Sequence, residues 1–315
     1  MRWTASDIPP RHGRSAVVTG TGGLGFEHAL ALARAGGDVI IAGRNPGSGA
    51  AAVARIVETV PDATVRFEKL DLASLSSVAE FAERLRTQCD SLDLLINNAG
   101  VMTPPRRLET EDGFELQLGA NYLGHFALTA RLMPLLRKGR DARVVSVSSV
   151  AARAGVIEFD DLNATKRYSP MRFYGQSKLA CLMFALELQR RSEAAGWGVA
   201  SIAAHPGVSR TNLLHNAPGR WSGTGLARSV LWFLFQPAWQ GALPILFAAT
   251  APSARGGAYY GPDGMGEIRG FPAEATIPPQ ALDAETSARL WAVSETLADV
   301  SFGADPRVPP MAEGR

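Results

Sequence analysis

The 315-residue sequence contains two cysteines, Cys89 and Cys181, and neither has neighbours at metal-ligand or disulfide spacing. A disulfide scaffold and a metal site are therefore not expected, and a reducing, cytoplasmic setting fits. Charge of either sign is not in excess. Charged residues make up 20% of the chain and the net charge is +2, which argues against a nucleic-acid partner and against disorder. Long apolar runs are also missing. Met1 to Arg14 lacks the apolar core of a secretory signal. Val230 to Phe235 is strongly apolar but stops at Gln236-Pro237, far short of the roughly 20 residues a bilayer crossing needs. It reads as part of a pocket or lid, with peripheral membrane contact as the alternative, and no integral membrane span is expected. No repeat or linker divides the chain, so one domain is the economical reading. Lysine is scarce: Lys69, Lys138, Lys166 and Lys178 stand among arginines, so each lysine invites a reason.

What is present is an alternation of strand and helix. Ser15 to Thr19 is a β-branched run that leads into Gly20-Thr-Gly-Gly-Leu-Gly25, and Phe26 to Ala35 follows at helical spacing. A glycine turn between strand and helix lets the backbone approach a pyrophosphate and meet its charge with free amides at the helix N-terminus. Strands are read at Val39–Ala42, Val65–Lys69, Leu92–Ile96, Arg143–Ser149, Val199–Ala204 and Gly257–Gly261. Helices are read at Pro46–Val60, Ser74–Gln88, Gly113–Arg137, Ser169–Gly196, Gln240–Ala249 and Ala284–Leu297. That order implies an α/β fold with a doubly wound parallel sheet of about seven strands, covered by helices on both faces.

Ligands of such sheets lie at the carboxyl ends of the strands, where Thr19, Arg44, Asp71 and Asn97 fall. Arg44 holds the place where an acidic residue would select NAD, and a basic residue there suits the 2′-phosphate of NADP. Tyr174 and Lys178 are four residues apart. On a helix they share a face, so the ammonium can stabilise a phenolate and suit the tyrosine to acid–base work. Asn121, in the middle of a helical pattern, reads equally as an amide with a task or as a buried structural one.

Taken in order, Thr19-Gly20 with Gly23 and Gly25, Asn97-Asn-Ala-Gly100, Asn121, Ser149, Tyr174-x-x-x-Lys178 and Pro206-Gly207 resemble the short-chain dehydrogenase/reductase family across nearly the whole chain. The interval from Ser149 to Tyr174 and the opening Trp3 to Pro9 resemble its retinol-dehydrogenase-like branch, related to protochlorophyllide reductases. The resemblance implies a Rossmann-type domain over 15–303, with an N-terminal extension at 1–14, a substrate lid at 209–240 and a tail at 304–315. It implies Tyr174 as general acid or base, Lys178 beside it and on the nicotinamide ribose, Ser149 on the substrate oxygen, and Asn121 anchoring a water that leads protons to Lys178. Cofactor contacts are implied for Gly20, Gly22, Gly23, Leu24, Gly25, Arg44, Asp71, Leu72, Asn98, Ala99, Gly100, Pro206, Gly207, Val208 and Thr211, besides Tyr174 and Lys178.

The expected cofactor is NADP(H) rather than NAD, and no metal is expected. The expected partner is a sizeable hydrophobic alcohol or carbonyl compound, suggested by the aromatic stretch from Arg210 to Pro237 with Trp221, Trp232 and Phe233. A homodimer or homotetramer through the helices carrying Asn121 and Tyr174 is a fold-level analogy. One departure stands out: only Thr21 and Gly22 separate Gly20 from Gly23, so the turn is one residue shorter than the family pattern. Two alternatives follow, reduction of a carbon–carbon double bond and a non-catalytic dinucleotide-binding role.

Overall fold

A computed structural model describes residues 2–209 and 236–303. One sheet organises them. Its strands are β1 (Ser15–Thr19), β2 (Asp38–Gly43), β3 (Val65–Lys69), β4 (Leu94–Asn97), β5 (Arg143–Val147), β6 (Ala200–Ala204), β7 (Tyr259–Pro262) and β8 (Pro272–Glu274), in the order β3-β2-β1-β4-β5-β6-β7-β8. The first seven are parallel; β8 returns antiparallel to β7. The sheet thus has one strand more than the spacing predicts, because a three-residue segment begun by a proline has no readable periodicity.

Both faces of the sheet are buried, as its nearly continuous apolar strands require. Val17 and Ile40 point into the core formed with α3 (Leu75–Gln88), α4 (Gly124–Leu136), α5 (Pro170–Ala195) and the terminal helix α8 (Ala284–Ala298). Val18 and Ile41 point to the opposite core, with α1 (Leu24–Arg34), α2 (Pro46–Thr59) and the paired short helices α6 (Ala238–Gly241) and α7 (Leu243–Thr250). The helix read at 240–249 is therefore two pieces, joined at Ala242. Ser74 caps α3, and Gly196 in the left-handed region ends α5.

The helix read from Gly113 becomes regular α4 only at Gly124. Leu118–Leu123 forms a π-helical turn that contains Asn121. Outward faces of α4 and α5 are covered within the chain: Trp291 of α8 packs 5.1 Å from Phe126 and 5.8 Å from Phe184, and Phe302 packs 5.1 Å from Phe126. Self-association through those two helices would have to use surface beyond this cover. Among the described residues no helix is long and apolar enough to cross a membrane.

Candidate active site

The sheet order reverses between β1 and β4, and the crevice over that point is where ligands of open α/β sheets bind. The glycine turn closes one side of it. Gly20 has φ 101° and Gly23 φ 52°, both in the region that favours glycine, and Gly23 starts α1. A Cβ on Gly25 would overlap the Gly20 carbonyl oxygen, whereas one on Gly22 would meet nothing. Among the described residues the amides of Thr21, Gly22 and Gly23 find no backbone partner, and Leu24 opens the helix beside them. Despite its missing residue the turn keeps a glycine-rich cradle of amides without backbone partners among the described residues, and a pyrophosphate fits that donor set.

The neighbouring strand ends add the other expected contacts. Arg44 follows β2 and is exposed, with no ion pair among the described residues. Lys69, which the sequence reading passed over, ends β3 in register with Gly43. Asp71 accepts from the Ala73 amide at 2.9 Å, and Leu72 packs so closely on Gly124 that no side chain fits there. Asn98 and Ala99 donate their amides to Thr19 Oγ1 at 2.8 and 2.9 Å, and the Asn98 side chain bonds the Thr19 carbonyl. Gly100 lies where a Cβ would stand 2.8 Å from Asn121 Oδ1 and 3.7 Å from Lys178 Nζ, so glycine keeps that approach open.

Helix α5 is fastened to the end of β5 at Lys178. The ammonium donates to the Val147 carbonyl at 2.9 Å, and Ser148 Oγ donates to the Lys178 carbonyl at 2.8 Å. One turn earlier Tyr174 is 7% exposed, and its hydroxyl makes no hydrogen bond to a described residue. Ser149 caps the short turn Val150–Ala154. That turn meets α5 backbone to backbone: a Cβ on Gly155 would stand 2.5 Å from the Gly175 carbonyl, and one on Gly175 3.2 Å from the Ala151 carbonyl. Small residues at 155 and 175 therefore let the turn that Ser149 caps lie directly against the part of α5 that carries Tyr174. The Tyr259 hydroxyl reaches the Ser149 carbonyl at 3.5 Å from below.

Asn121 is 1% exposed. Its Oδ1 accepts from the Val101 amide at 2.7 Å, and its Nδ2 donates to the Val101 carbonyl and to Ser177 Oγ, both at 3.0 Å. Structural work and a link towards α5 coexist in one side chain.

Pro206, Gly207 and Val208 follow β6. Gly207 has φ 64°, and a Cβ there would overlap the Ile268 carbonyl, which itself accepts from the Val208 amide at 2.8 Å. His205 braces this loop: Nδ1 accepts from the Gly207 amide at 3.2 Å and Nε2 donates to Glu267 Oε2 at 2.9 Å. Arg153, from the turn after Ser149, pairs with the same carboxylate at 2.6 Å. The His205 bond, more than any other cause, holds the Glu267 carboxyl down at about 2 from an ordinary 4.5. A depressed carboxylate contributes stability that is fully present above its unfolded value, near pH 4.5, and is lost as pH falls through that window towards 2. Denaturant midpoints measured across that range should fall less steeply in Glu267→Gln than in the wild type. Equal slopes would show that the carboxylate carries no such linkage.

Thr211, Trp221, Trp232, Phe233 and most of the 209–240 segment lie outside the described residues. Of residues the sequence reading did not single out, Ser177 accepts from the Asn121 side chain at 3.0 Å and His125 lies 2.9 Å from the Asn121 carbonyl oxygen. His125 stands four residues after Asn121, the same spacing that drew attention to Tyr174 and Lys178. Among the described residues no cluster of side chains is suited to a metal ion.

Comparison with known proteins places the chain in a family. The chain is 43% identical over 292 residues to a polyprenol dehydrogenase of Mus musculus, covering 90% of this chain and 84% of the relative. It is 40% identical over 294 residues to retinol dehydrogenase 13 of Homo sapiens, again covering 90% and 84%. The crystal structure of an uncharacterised protein from Mycobacterium paratuberculosis superposes with a TM-score of 0.80 at 39% identity, covering 96% of this chain and all of that one. A family model described as short chain dehydrogenase matches residues 14–220. With so much of its length accounted for, the chain belongs to the short-chain dehydrogenase/reductase family of oxidoreductases, on its retinol-dehydrogenase-like branch.

Proposed function

We propose that this oxidoreductase uses NADP(H) to interconvert a large hydrophobic alcohol and its aldehyde or ketone, with Tyr174 as the proton-transferring group. The observation that carries the reading is a buried tyrosine whose hydroxyl makes no hydrogen bond to a described residue, one helical turn before a lysine whose ammonium is anchored at the end of β5 beside Ser149. The nicotinamide supplies or takes up the hydride. Tyr174 gives the carbonyl oxygen a proton in reduction and removes it in oxidation. Ser149 donates to the same oxygen as charge gathers there, and the Lys178 charge favours the phenolate left behind. A proton relay starting at Asn121 would leave from the second lone pair of Oδ1, since the first holds the Val101 amide.

For the cofactor, an exposed Arg44 with no ion pair among the described residues, beside Lys69, suits a 2′-phosphate at the end of β2. A charge-assisted hydrogen bond is worth about 1.5–3 kcal/mol. Arg44→Ala is therefore expected to raise the KM for NADPH by roughly 10- to 100-fold while leaving that for NADH within about 2-fold. Parallel initial rates with both cofactors check it, and equal losses would remove Arg44 from cofactor choice.

The substrate class rests on the relatives, whose names give polyprenol and retinol, alcohols on large apolar skeletons. Hydrophobic primary alcohols with NADP⁺, and the matching aldehydes with NADPH, form the panel that tests it, followed by cofactor absorbance and product mass. Turnover with formation of a hydroxyl supports the reading. A product that keeps its carbonyl and gains two hydrogens on carbon would transfer the site to double-bond reduction. No turnover anywhere in the panel would contradict it.

A further inference from the structure

A single buried ring joins the glycine turn to the opposite wall of the pocket. His125 is 4% exposed, with Nδ1 2.9 Å from the Asn121 carbonyl oxygen and Nε2 2.9 Å from Thr19 Oγ1. Counting hydrogens assigns every proton. The carbonyl can only accept, so Nδ1 carries the ring proton and Nε2 is an acceptor. Thr19 Oγ1 already accepts the Asn98 and Ala99 amides, which fills both lone pairs and leaves its own hydrogen to point at Nε2. The rival acceptor for that hydrogen, the Ile96 carbonyl, is farther away at 3.3 Å.

From Asn121 the contact continues through its side chain. Asn121 Nδ2 donates to Ser177 Oγ at 3.0 Å, and Ser177 Oγ donates to the Tyr174 carbonyl at 2.9 Å. Thr19, His125, Asn121, Ser177 and Tyr174 are thus linked in turn, the His125 bond ending on the Asn121 main-chain oxygen and the Asn121 side chain carrying the contact on to α5. The Asn121 carbonyl lies in the π-helical turn, where shifted helix bonding leaves main-chain oxygens in need of other donors. It takes His125 and also the Cys181 thiol, at 3.2 Å.

We infer that His125 is a positioning residue for the reaction, holding the cofactor cradle and the Tyr174 helix at one spacing through a neutral ring protonated on Nδ1. The inference rests on the function proposed above. A charged ring would turn a second N–H towards the filled Thr19 oxygen. Burial opposes that state and pushes the imidazole down to about 4; the Asn121 bond works against the shift and the nearby Lys178 charge adds to it. The groups facing the ring are thus Thr19, the Asn121 main chain, Lys178 and Cys181.

Nitrogen NMR of the wild-type chain without cofactor reads the network directly, because only five histidines contribute. The His125 ring is expected to be neutral and Nδ1-protonated at pH 7; an Nε2-protonated or charged ring would overturn the inference. His125→Phe fills the space but breaks the chain in the middle. It is expected to lower kcat at least 10-fold and to raise the NADPH dissociation constant several-fold, with the alcohol KM within 2-fold. His125→Gln keeps one donor and one acceptor and should recover a substantial part of both losses. A folded His125→Phe with wild-type kcat and cofactor affinity, or a glutamine variant no better than phenylalanine, would also overturn it. Should the phenylalanine variant not fold, the wild-type tautomer and the glutamine variant decide. A wild-type chain that binds no nicotinamide cofactor would sink the proposed function, while the tautomer would still decide the hydrogen-bond chain.

Discussion

Tyr174→Phe is expected to lower kcat by about 10³-fold or more, within the range of roughly 10²- to 10⁴-fold that positioned general acids and bases contribute. Few substitutions would separate chemistry from structure so cleanly. The tyrosine hydroxyl makes no hydrogen bond to a described residue, so its removal leaves no buried partner unsatisfied, and stability should hold to within about 1 kcal/mol. NADPH affinity should change little, because the phenyl ring keeps its place on α5. Steady-state kinetics with a thermal melt and a cofactor titration on the same preparation test the three statements together. A variant that keeps more than a tenth of wild-type kcat would mean that another group transfers the proton.

The second large effect is expected at Lys178. Lys178→Met keeps the length of the side chain and discards its charge, so the proposed proton transfer loses the cation one helical turn from Tyr174 and the Val147 carbonyl loses its donor. Removing a preorganised donor of this kind costs about 10²- to 10³-fold in kcat, and here the NADPH dissociation constant should rise as well. Arginine should not rescue it. Lys178 is 5% exposed and its ammonium lies 3.7 Å from where a Cβ on Gly100 would stand, so the larger planar guanidinium cannot take its place without moving the Asn98–Gly100 loop. Rates for the methionine and arginine variants within 3-fold of wild type would remove the lysine from the chemistry.

The relation of sequence to structure differs from element to element. β1 and β3 have the bounds their residue patterns suggest, since a β-branched run ending at Gly20 and a strict apolar–charged alternation over Val65–Glu68 have no competing helical reading. β8 was not legible, because Pro272–Glu274 is too short for any period and owes its pairing to β7 alone. The π-helical turn at Asn121 was also hidden: apolar spacing over 118–136 suits a helix whether its bonds reach four residues or five. Asn121 had been open between a task and a structural amide, and its three hydrogen bonds to Val101 and Ser177 explain why spacing alone could not decide. Arg44 could be placed from the strand it follows. The bond from His205 to Glu267, 62 residues apart, could not, since no local pattern reports a contact made only when β6 and the loop after β7 are in place.

The short glycine turn invites the non-catalytic reading, and its geometry bears on whether a dinucleotide can be held there. Gly20 and Gly23 take up the missing residue by adopting backbone angles that favour glycine, and the amides stay unobstructed. The added glycine costs conformational freedom when the turn is ordered, not donors.

The central claim is that a hydride and the Tyr174 proton meet on one carbon–oxygen bond. NADPH carrying deuterium at the transferable position of the nicotinamide, incubated with a hydrophobic aldehyde and the wild-type chain, tests it most directly by mass and proton spectra of the product. The expected result is one deuterium per molecule on the carbon that bears the new hydroxyl, and almost none with Tyr174→Phe. Deuterium on a former double-bond carbon, or the same labelled alcohol formed at the same rate by both proteins, would contradict it.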